Sequence, residues 1–286
     1  METLPKSEYS GANIKEVLED LERTLIGFIR KHRINHQQYR VATQLLVNSI
    51  KQGEESLLPD IFLEAEVTDV GNLSREGSPE AIEGPFYLPG APELQAPYVM
   101  PMRPDERGDV LYFVGSVRDC EGEPVVGAEI DVWQAHADGT YSNIHPNIPP
   151  WNLRGRLKAD DSGEFSVRTI VPPPYEIPKN GPTGTVLSAL GRHCFRPAHL
   201  HLKVRHPELS EMTSQLYFIG DEYLDSDVAN AVRDGLVLRL ETHDDPGAIK
   251  ERGLSKPFYL ARYDFVLPPA DGAQGDPAVV DQSARA

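Results

Sequence analysis

The stretch Arg196-Pro-Ala-His-Leu-His-Leu-Lys-Val204 alternates between histidines and aliphatic side chains. His199 and His201 stand two residues apart, and leucine, leucine and valine follow them at the alternate positions. Because successive side chains of a β-strand point to opposite faces, the two imidazoles share one face and the aliphatic side chains share the other. The pattern predicts a strand over residues 199–204, with one apolar face and two nitrogen donors on the opposite face.

A composition typical of β-strands continues through the second half of the chain. Segments rich in β-branched and aromatic residues recur at short intervals, and Pro- and Gly-containing turns separate several of them. The predicted strands are 110–114, 128–133, 153–158, 164–170, 199–204, 213–218 and 259–266. Short strands at this spacing are typical of an antiparallel sandwich or barrel. One short helix is predicted among them, at residues 226–232, with Asp225 or Ser226 as its N-terminal cap.

The first part of the chain has a helical period instead. Apolar residues recur every three or four positions from Ile14 to Ile29, with charged residues between them. A second stripe predicts a helix over about 35–52. A third helix is expected over 57–70, where Pro59 falls in the first turn and is tolerated. The predicted fold class is therefore mainly β with an α-helical N-terminal part.

These changes in periodicity and composition divide the chain into four regions. Residues 1–75 are predicted to be helical, and residues 109–268 are predicted to form the β domain. Residues 76–108 contain many prolines and glycines but also aromatic and aliphatic side chains, so we expect an ordered crossing segment that packs against the rest. Residues 269–286 are rich in Ala, Gly and Asp and are expected to form a flexible tail.

The composition limits the classes of function. The chain has 286 residues, 28 Lys and Arg against 44 Asp and Glu, and a formal net charge of −16. Binding to nucleic acid or to an anionic membrane surface needs the opposite balance of charge. No apolar run approaches the roughly 20 residues of a transmembrane helix, and two cysteines suit a reducing compartment. We expect a soluble cytoplasmic protein without a secretory signal, nucleic-acid binding or membrane insertion.

The two histidines need further partners if they are to bind a metal. Their spacing gives one metal two nitrogen ligands, although two polar residues on a strand can equally face water. A zinc hydrolase would need another His or a carboxylate, and Glu208 follows too late, in a turn. Cys194 is interpreted as buried packing. The other histidines with loop-like surroundings are interpreted as structural or exposed: His136, His145, His193 and His243.

Two tyrosines are candidate oxygen donors. Tyr141 follows the turn Asp138-Gly-Thr140, and Tyr175 follows the rigid run Val171-Pro-Pro-Pro174. A metal of high charge can remove the phenol proton and bind the phenolate. Two tyrosinates with two imidazoles suit Fe(III) better than Fe(II) or Zn(II). In a chain with 11 tyrosines, both residues can equally be packing residues.

Seven motifs together resemble the intradiol ring-cleaving dioxygenases, most closely the catechol 1,2-dioxygenases. They follow one another in family order, and the resemblance extends over residues 15–268. The motifs are Ala81-Ile-Glu-Gly-Pro-Phe-Tyr87, Ile130-Asp-Val-Trp-Gln-Ala135, Asp138-Gly-Thr-Tyr-Ser142, Asn152-Leu-Arg-Gly155, Gly181-Pro-Thr183, Arg196-Pro-Ala-His-Leu-His201 and Thr213-Ser-Gln-Leu-Tyr217.

The resemblance implies a set of site residues. The protein ligands of a non-haem Fe(III) would be Tyr141, Tyr175, His199 and His201. Tyr175 would also leave the iron and act as a base, and Arg196 and Gln215 would lie beside the bound catechol. The residues that would line the substrate pocket are Ile82, Pro85, Phe86, Ile177, Val228 and Ala229.

The resemblance also implies an activity and partners. The expected reaction is cleavage of catechol with O2 to cis,cis-muconate, with both oxygen atoms incorporated, in the degradation of aromatic compounds. The expected assembly is a homodimer, in which a helical dimerisation region adjoins a β-sandwich and a phospholipid lies at the dimer seam in many members. Phe86 stands where many plain catechol enzymes have Leu, so hydroxyquinol or a chlorocatechol remains open as the substrate. A metal-free binding module of the transthyretin type is the alternative from another class.

The six residues implied for the pocket are all apolar. A hydroxyl group buried without a partner costs roughly 1–3 kcal/mol. We therefore expect catechol to be the best substrate, methyl- and chlorocatechols to be slower, and hydroxyquinol to be poor. If hydroxyquinol ranked first, an unidentified polar group would have to face the ring.

Overall fold

The computed structural model describes residues 14–270. By their contacts these residues divide into two units, 14–48 and 49–270. The first thirteen residues of the predicted helical region and residues 271–286 of the predicted tail lie outside the described residues. None of the helices among residues 14–270 is both long enough and apolar enough to cross a membrane.

The first unit contains helix α1 (Ile14–His32) and most of helix α2 (His36–Lys51), and both helices were predicted. Glu16 in the first turn of α1 and basic residues in its last turn match the helix dipole. Asn35 starts α2 with a reciprocal cap, because its side chain accepts from Gln38 N and its own N–H donates to the Gln38 side chain, both at 2.9 Å. The apolar stripe of α1 is exposed: Val17, Leu18, Leu21, Leu25 and Phe28 are 52–55% accessible.

The second unit contains the remaining helices and the strands. The helices are α3 (Leu57–Asn72), α4 (Pro182–Ala189) and α5 (Pro246–Glu251). The strands are β1 (Tyr98–Val99), β2 (Val110–Asp119), β3 (Glu129–Gln134), β4 (Arg154–Lys158), β5 (Glu164–Ile170), β6 (Tyr175–Glu176), β7 (Phe195–Arg196), β8 (His199–His206), β9 (Leu209–Phe218), β10 (Val237–Leu238), β11 (Glu241–His243), β12 (Phe258–Arg262) and β13 (Phe265–Leu267).

Two sheets carry most of these strands. One has the order β10-β9-β8-β3-β4, and the other has the order β1-β5-β2-β12-β11 with β13 also paired to β2. The long neighbours β3–β4, β3–β8, β8–β9 and β2–β5 are antiparallel, as predicted. Four pairings that involve short strands, β1–β5, β10–β9, β12–β2 and β13–β2, are parallel. Side chains from both sheets share one apolar core, so the architecture is a β-sandwich with a helical part.

Strand β8 confirms the alternation that the sequence predicts. Leu200, Leu202 and Val204 are fully buried in the core between the sheets. His199 and His201 lie on the other face and are each only 1% exposed. The alternative in which these two histidines simply face water is therefore wrong, because that face is covered as well.

Two local predictions are wrong. Residues 226–232 do not form a helix, and only Leu224–Ser226 makes a short 3-10 turn. The carboxylate of Asp227 accepts hydrogen bonds from Ala229 N and Ala231 N, which competes with helix formation. The predicted strand 259–266 is two strands, β12 and β13, because the chain leaves the sheet between them.

The crossing segment at 76–108 contacts the sandwich at several points. Ala81, Ile82 and Met100 are buried, and Tyr98–Val99 forms strand β1 beside β5. Gln215 Nε2 donates to Ile82 O at 2.8 Å. This segment therefore packs along the sandwich and brings residues 82–86 next to the face that carries the histidines.

Candidate active site

Four side chains converge at the start of β8, and we call them the donor cluster: Tyr141, Tyr175, His199 and His201. The Nε2 atoms of His199 and His201 are 3.0 Å apart, and Tyr141 Oη lies 3.2 Å from His201 Nε2. The ring centroid of Tyr175 is 5.5 Å from that of His199 and 5.4 Å from that of Tyr141. None of the four is more than 5% exposed. The structure thus brings two nitrogen donors and two oxygen donors together.

Backbone conformation brings the two tyrosines together. Tyr141 follows a turn in which Gly139 has a φ of +80°, and a Cβ on Gly139 would lie 2.9 Å from the Cβ of Tyr175. Glycine alone tolerates this conformation and this approach without strain. Tyr175 begins β6, which pairs with β7 and sets Tyr175 opposite Arg196. The two tyrosine segments therefore lie against each other beside the histidines.

Hydrogen bonds fix the orientation of both imidazoles. His199 Nδ1 lies 2.7 Å from the carbonyl oxygen of Pro197, which can only accept, so Nδ1 carries the proton and Nε2 carries the lone pair. His201 is hydrogen-bonded to the backbone of Glu83. The indole of Trp133 stacks on the His201 ring with 11° between their planes. A ring nitrogen held by a backbone carbonyl, with the other nitrogen free, is typical of a metal-binding histidine.

Burial keeps the donor cluster neutral. It lowers the pKa of His199 to about 3, and the charge of Arg196 acts in the same direction. Burial also lowers the pKa of His201 well below its ordinary value. It raises the pKa of Tyr141 well above its ordinary value and raises the pKa of Tyr175. The imidazoles are therefore ready to coordinate, whereas the phenols need a strongly charged metal to lose their protons.

The donor set fits a ferric ion. Two nitrogens bound at about 2.1 Å and at right angles to each other are about 3.0 Å apart, which is the separation of the two Nε2 atoms. Within residues 14–270, no group of three or more His, Cys, Asp or Glu side chains is suited to a metal ion. A metal at this site therefore depends on the tyrosine oxygens, and phenolates favour a hard, highly charged ion.

A chain of buried hydrogen bonds supports the donor cluster from behind. Gln215 Nε2 lies 3.3 Å from His201 Nδ1. Tyr217 Oη donates to Gln215 Oε1 at 2.7 Å, and Arg196 Nη2 donates to Tyr217 Oη at 3.0 Å. Gln215 is fully buried behind the His201 ring. Its contacts suit a residue that positions His201 and Tyr217.

Arg196 is held by a carboxylate that sequence reasoning missed. Its Nε and Nη2 donate to the two carboxylate oxygens of Asp227, each at 3.0 Å. Both residues are at most 5% exposed. Burial opposes ionisation of Asp227, but the charge and hydrogen bonds of Arg196 lower its pKa. The sequence analysis predicted Asp225 or Ser226 as a helix cap. No local pattern marks Asp227, rather than these neighbours, as the partner of Arg196.

A narrow cavity adjoins the donor cluster, and the space in it that can hold the centre of a water molecule is about 20 Å³. Tyr175 and Arg196 line it, and Tyr141, His199, His201 and Gln215 do not. Its other lining residues are Leu57, Asp60, Ile61, Glu64, Ile82, Gly84, Pro85, Phe86, Ile177, Pro178 and Ala229. This space is far below the roughly 300–1,000 Å³ of typical small-molecule sites, so the cavity is narrow in this structure.

Five of the six pocket residues implied by the resemblance line this cavity: Ile82, Pro85, Phe86, Ile177 and Ala229. Val228 does not. It is fully buried, and its carbonyl accepts a hydrogen bond from Arg192 Nη2 at 2.7 Å. Its side chain packs in the apolar cluster that also contains Ile82 and Tyr175.

Helix α3 supplies a wall that the sequence analysis missed, and we call Leu57, Asp60, Ile61 and Glu64 the α3 wall. Their spacing of three and four residues puts them on one face of the helix. The expectation of an entirely apolar pocket is wrong, because two of these four residues are carboxylates. The sequence does show two acidic residues at helical spacing that alternate with the aliphatic residues Leu57 and Ile61, but acidic residues on a helix are usually solvated.

Glu64 connects the α3 wall to the donor cluster. Its Oε1 accepts a hydrogen bond from Glu83 N at 3.2 Å, and the backbone of Gly84 bonds to the same carboxylate. Gly84 has a φ of +72°, and a Cβ there would lie 3.5 Å from His201 Cε1. Burial, and then the charge of Asp60, raise the pKa of Glu64 to about 7. One glycine therefore separates this carboxylate from a donor histidine.

The remaining histidines lie outside the donor cluster. His136 is fully buried, and its Nε2 lies 3.2 Å from Asn152 Nδ2, next to Glu106, so it is structural. His193 lies in a loop, where its Nε2 is 2.9 Å from Ser226 Oγ. His145 Nδ1 accepts from Tyr141 N at 3.0 Å and so helps to shape the loop of that tyrosine. Cys120 and Cys194 are both free thiols.

Comparison with known proteins agrees with this geometry. Residues 82–269 match the family model described as Dioxygenase. A chlorocatechol 1,2-dioxygenase of Rhodococcus opacus is 40% identical over 261 residues, which cover 90% of this chain and 98% of the relative. A catechol 1,2-dioxygenase of Acinetobacter baylyi is 32% identical over 273 residues, which cover 91% and 87%.

Solved structures give the same result. The crystal structure of a chlorocatechol dioxygenase from Rhodococcus opacus superposes with a TM-score of 0.83 at 40% identity, covering 89% of this chain and 98% of that one. A hydroxyquinol 1,2-dioxygenase from Pseudomonas putida superposes with a TM-score of 0.81 at 31% identity, covering 91% and 94%. With the family model matching well over half of its length, the chain belongs to the intradiol ring-cleaving dioxygenases.

Proposed function

We propose that the donor cluster binds a non-haem Fe(III) and that the protein cleaves catechol with O2 to cis,cis-muconate. The observation that carries this proposal is that His201 Nε2 lies 3.0 Å from His199 Nε2 and 3.2 Å from Tyr141 Oη, next to a small cavity. Bound there, Fe(III) would act as a Lewis acid that stabilises the doubly deprotonated catechol. The role of the protein is to hold the ring and move its protons.

Tyr175 is the proposed base. It is the one member of the donor cluster that lines the cavity, which supports its contact with a bound catechol. Burial raises its pKa, and a phenolate with a raised pKa is a strong proton acceptor. Tyr141 and the two histidines lie behind the cavity wall and would remain as fixed ligands.

Arg196 is the proposed electrostatic partner of the ring. It lines the cavity, lies opposite Tyr175 across the β6–β7 pair, and is held rigidly by Asp227. A fixed positive charge beside the ring stabilises negative charge that develops during the reaction. Gln215 acts through its contact with His201 and is a positioning residue in this proposal.

The apolar part of the cavity supports catechol as the substrate. Ile82, Phe86, Ile177 and Ala229 form surfaces suited to an unsubstituted ring. A chlorocatechol is the second candidate, because the relative from Rhodococcus opacus that is 40% identical carries that name. Fe(III) and O2 are the proposed cofactor and co-substrate in either case.

The proposed assembly is a cytoplasmic homodimer. The exposed apolar stripe of α1, from Val17 to Phe28, supports a contact with a second copy. The two free cysteines support a reducing compartment. The phospholipid at the dimer seam stays a prediction of the resemblance.

Product analysis tests this function. Iron-loaded protein supplied with catechol should consume an equimolar amount of O2 and form cis,cis-muconate, which is followed by its ultraviolet absorbance. A parallel assay with methyl- and chlorocatechols and with hydroxyquinol ranks the substrates by kcat/KM. Iron-loaded protein that forms no muconate from any of these compounds would favour the transthyretin-like binding module.

A further inference from the structure

The cavity has two carboxylates and one cation in its wall. Asp60 and Glu64 lie one helical turn apart on α3, and both are partly buried. Arg196 is the single Lys or Arg among the lining residues, all of which belong to the described part of the chain. Its charge is already matched by Asp227 through two hydrogen bonds of 3.0 Å. The cavity therefore carries an excess of negative charge.

The hydrogen bonds of the two carboxylates keep them in place. Glu64 is held by the backbone of residues 83 and 84, of which Gly84 lines the cavity. Asp60 is hydrogen-bonded to the side chain of Ser56, one turn earlier on the same helix. Neither carboxylate has an ion pair with a Lys or Arg in the described residues. Their negative charge therefore acts on any molecule that occupies the cavity.

We propose that Asp60 and Glu64 select catechols by the charge of the ring substituent, excluding rings that carry an anionic group and admitting neutral or cationic ones. This inference rests on the proposed function and names its substrate class more closely. Because the cavity is narrow, a substituent on a ring bound there would lie close to the α3 wall. A carboxylate substituent would meet two like charges with no free cation, whereas a hydroxyl or an ammonium group would find acceptors.

The pKa of Glu64 sets the pH at which this selection is complete: since it is about 7, Glu64 is fully charged only above that pH, and the substrates are best compared there. Burial raises the pKa of each, and the charge of Asp60 raises that of Glu64 further, so the two carboxylates already repel one another. Arg196 is the cation that lowers the pKa of Glu64. A third negative charge in the same space adds to an existing repulsion.

A series of three substrates that differ only in charge tests the proposal. The compounds are catechols that bear, at the same ring carbon, a carboxylate, a hydroxymethyl group or an aminomethyl group. In the iron-loaded wild-type protein, kcat/KM should be lowest for the carboxylate compound, by about tenfold or more relative to the hydroxymethyl compound. In Asp60→Asn and in Glu64→Gln, each measured separately, this ratio should shrink several-fold. Glu66→Gln, an exposed position on the same helix, is the matched control and should keep the wild-type ratio.

Each outcome has a definite meaning. Equal discrimination in wild type and both variants, or no dependence on charge in the wild type, would overturn the proposal. Plain catechol is the reference substrate, and its failure to react would contradict the proposed function instead. Calorimetric binding of the same three compounds to wild type and variants then tests the charge selection without turnover. If one variant fails to fold, the other variant and the wild-type series still decide the outcome.

Discussion

The donor cluster and the α3 wall meet at one cavity but differ in how they are built. The side chains of the donor cluster are almost fully buried and held neutral by burial, with carbonyl, amide and aromatic neighbours. The α3 wall combines two buried aliphatic side chains with two partly exposed carboxylates, and burial raises the pKa of both carboxylates. The first arrangement suits tight binding of a metal, and the second suits discrimination between substrates. On the proposed function, the reaction and the choice of substrate would be set by separate parts of the site.

The largest effect is expected from removing a histidine of the donor cluster. His199→Ala or His201→Ala should abolish iron retention and ring cleavage, because each Nε2 is one of two converging nitrogen donors. Iron content by metal analysis and O2 uptake are the readouts. His206→Ala, at the other end of β8, is the control and should retain both. Full iron content with normal turnover in either variant would show that the residue is not a ligand.

Tyr175→Phe should separate metal binding from proton transfer. The other three members of the donor cluster remain, so iron should still bind. Turnover should fall by about 10²–10⁴-fold, the usual loss when a base of this kind is removed. Tyr259→Phe, on strand β12, serves as the control. Unchanged turnover in Tyr175→Phe would mean that Tyr175 takes no proton.

Asp227→Asn tests the buried ion pair between Arg196 and Asp227. Removing one charge leaves Arg196 buried without its counter-ion, and breaking a buried pair in this way typically costs about 3–5 kcal/mol. Urea unfolding at neutral pH should show this loss. The difference in the free energy of unfolding between wild type and variant should become smaller at low pH. The reason is that the pKa of Asp227 is lowered in the folded wild type, so the stability it contributes disappears as the pH falls through that pKa. A wild-type midpoint in the variant would contradict the account of Arg196.

Glu64→Gln should have the smallest effect on stability, in addition to its expected effect on the discrimination between substrate charges. Glu64 has a raised pKa of about 7 in the folded protein against an ordinary value of 4.5, so the folded state binds more protons than the unfolded state. The stability of the wild type should therefore fall as pH rises from 4.5 to about 7, and the variant should lack this component. The Tm of the variant minus the Tm of the wild type should therefore be about 2–4 °C more positive above pH 7 than at pH 5. An identical pH dependence in both proteins would place the Glu64 carboxylate in solvent.

Much of the fold follows from local patterns. The alternation of His199–His206 and the helical period of α1 each reflect one periodicity, so both were predictable. The conformation of residues 226–232 was not predictable, because the carboxylate of Asp227 accepts hydrogen bonds from backbone N–H groups that would otherwise bond within a helix. Its partner Arg196 is 31 residues earlier, and such a contact leaves no local signal.

The site was predicted unevenly for the same reason. The donor cluster could be named because its motifs resemble a family, and the spacing of the histidines supports two of its members. Asp60 and Glu64 resemble any acidic residues on a helix surface until the fold turns that face toward the cavity. The polarity of the pocket therefore depends on tertiary packing, which the sequence pattern does not contain.

The most direct test of the central claim is the visible absorption spectrum of the purified protein, measured together with its iron content after expression in iron-supplemented medium. Iron bound by Tyr141 and Tyr175 should give about one iron per chain and a red-brown protein with a tyrosinate-to-Fe(III) charge-transfer band. The band should shift when catechol is added without O2. A colourless protein that holds no iron, or an iron protein without that band, would contradict a donor cluster built from two histidines and two tyrosines.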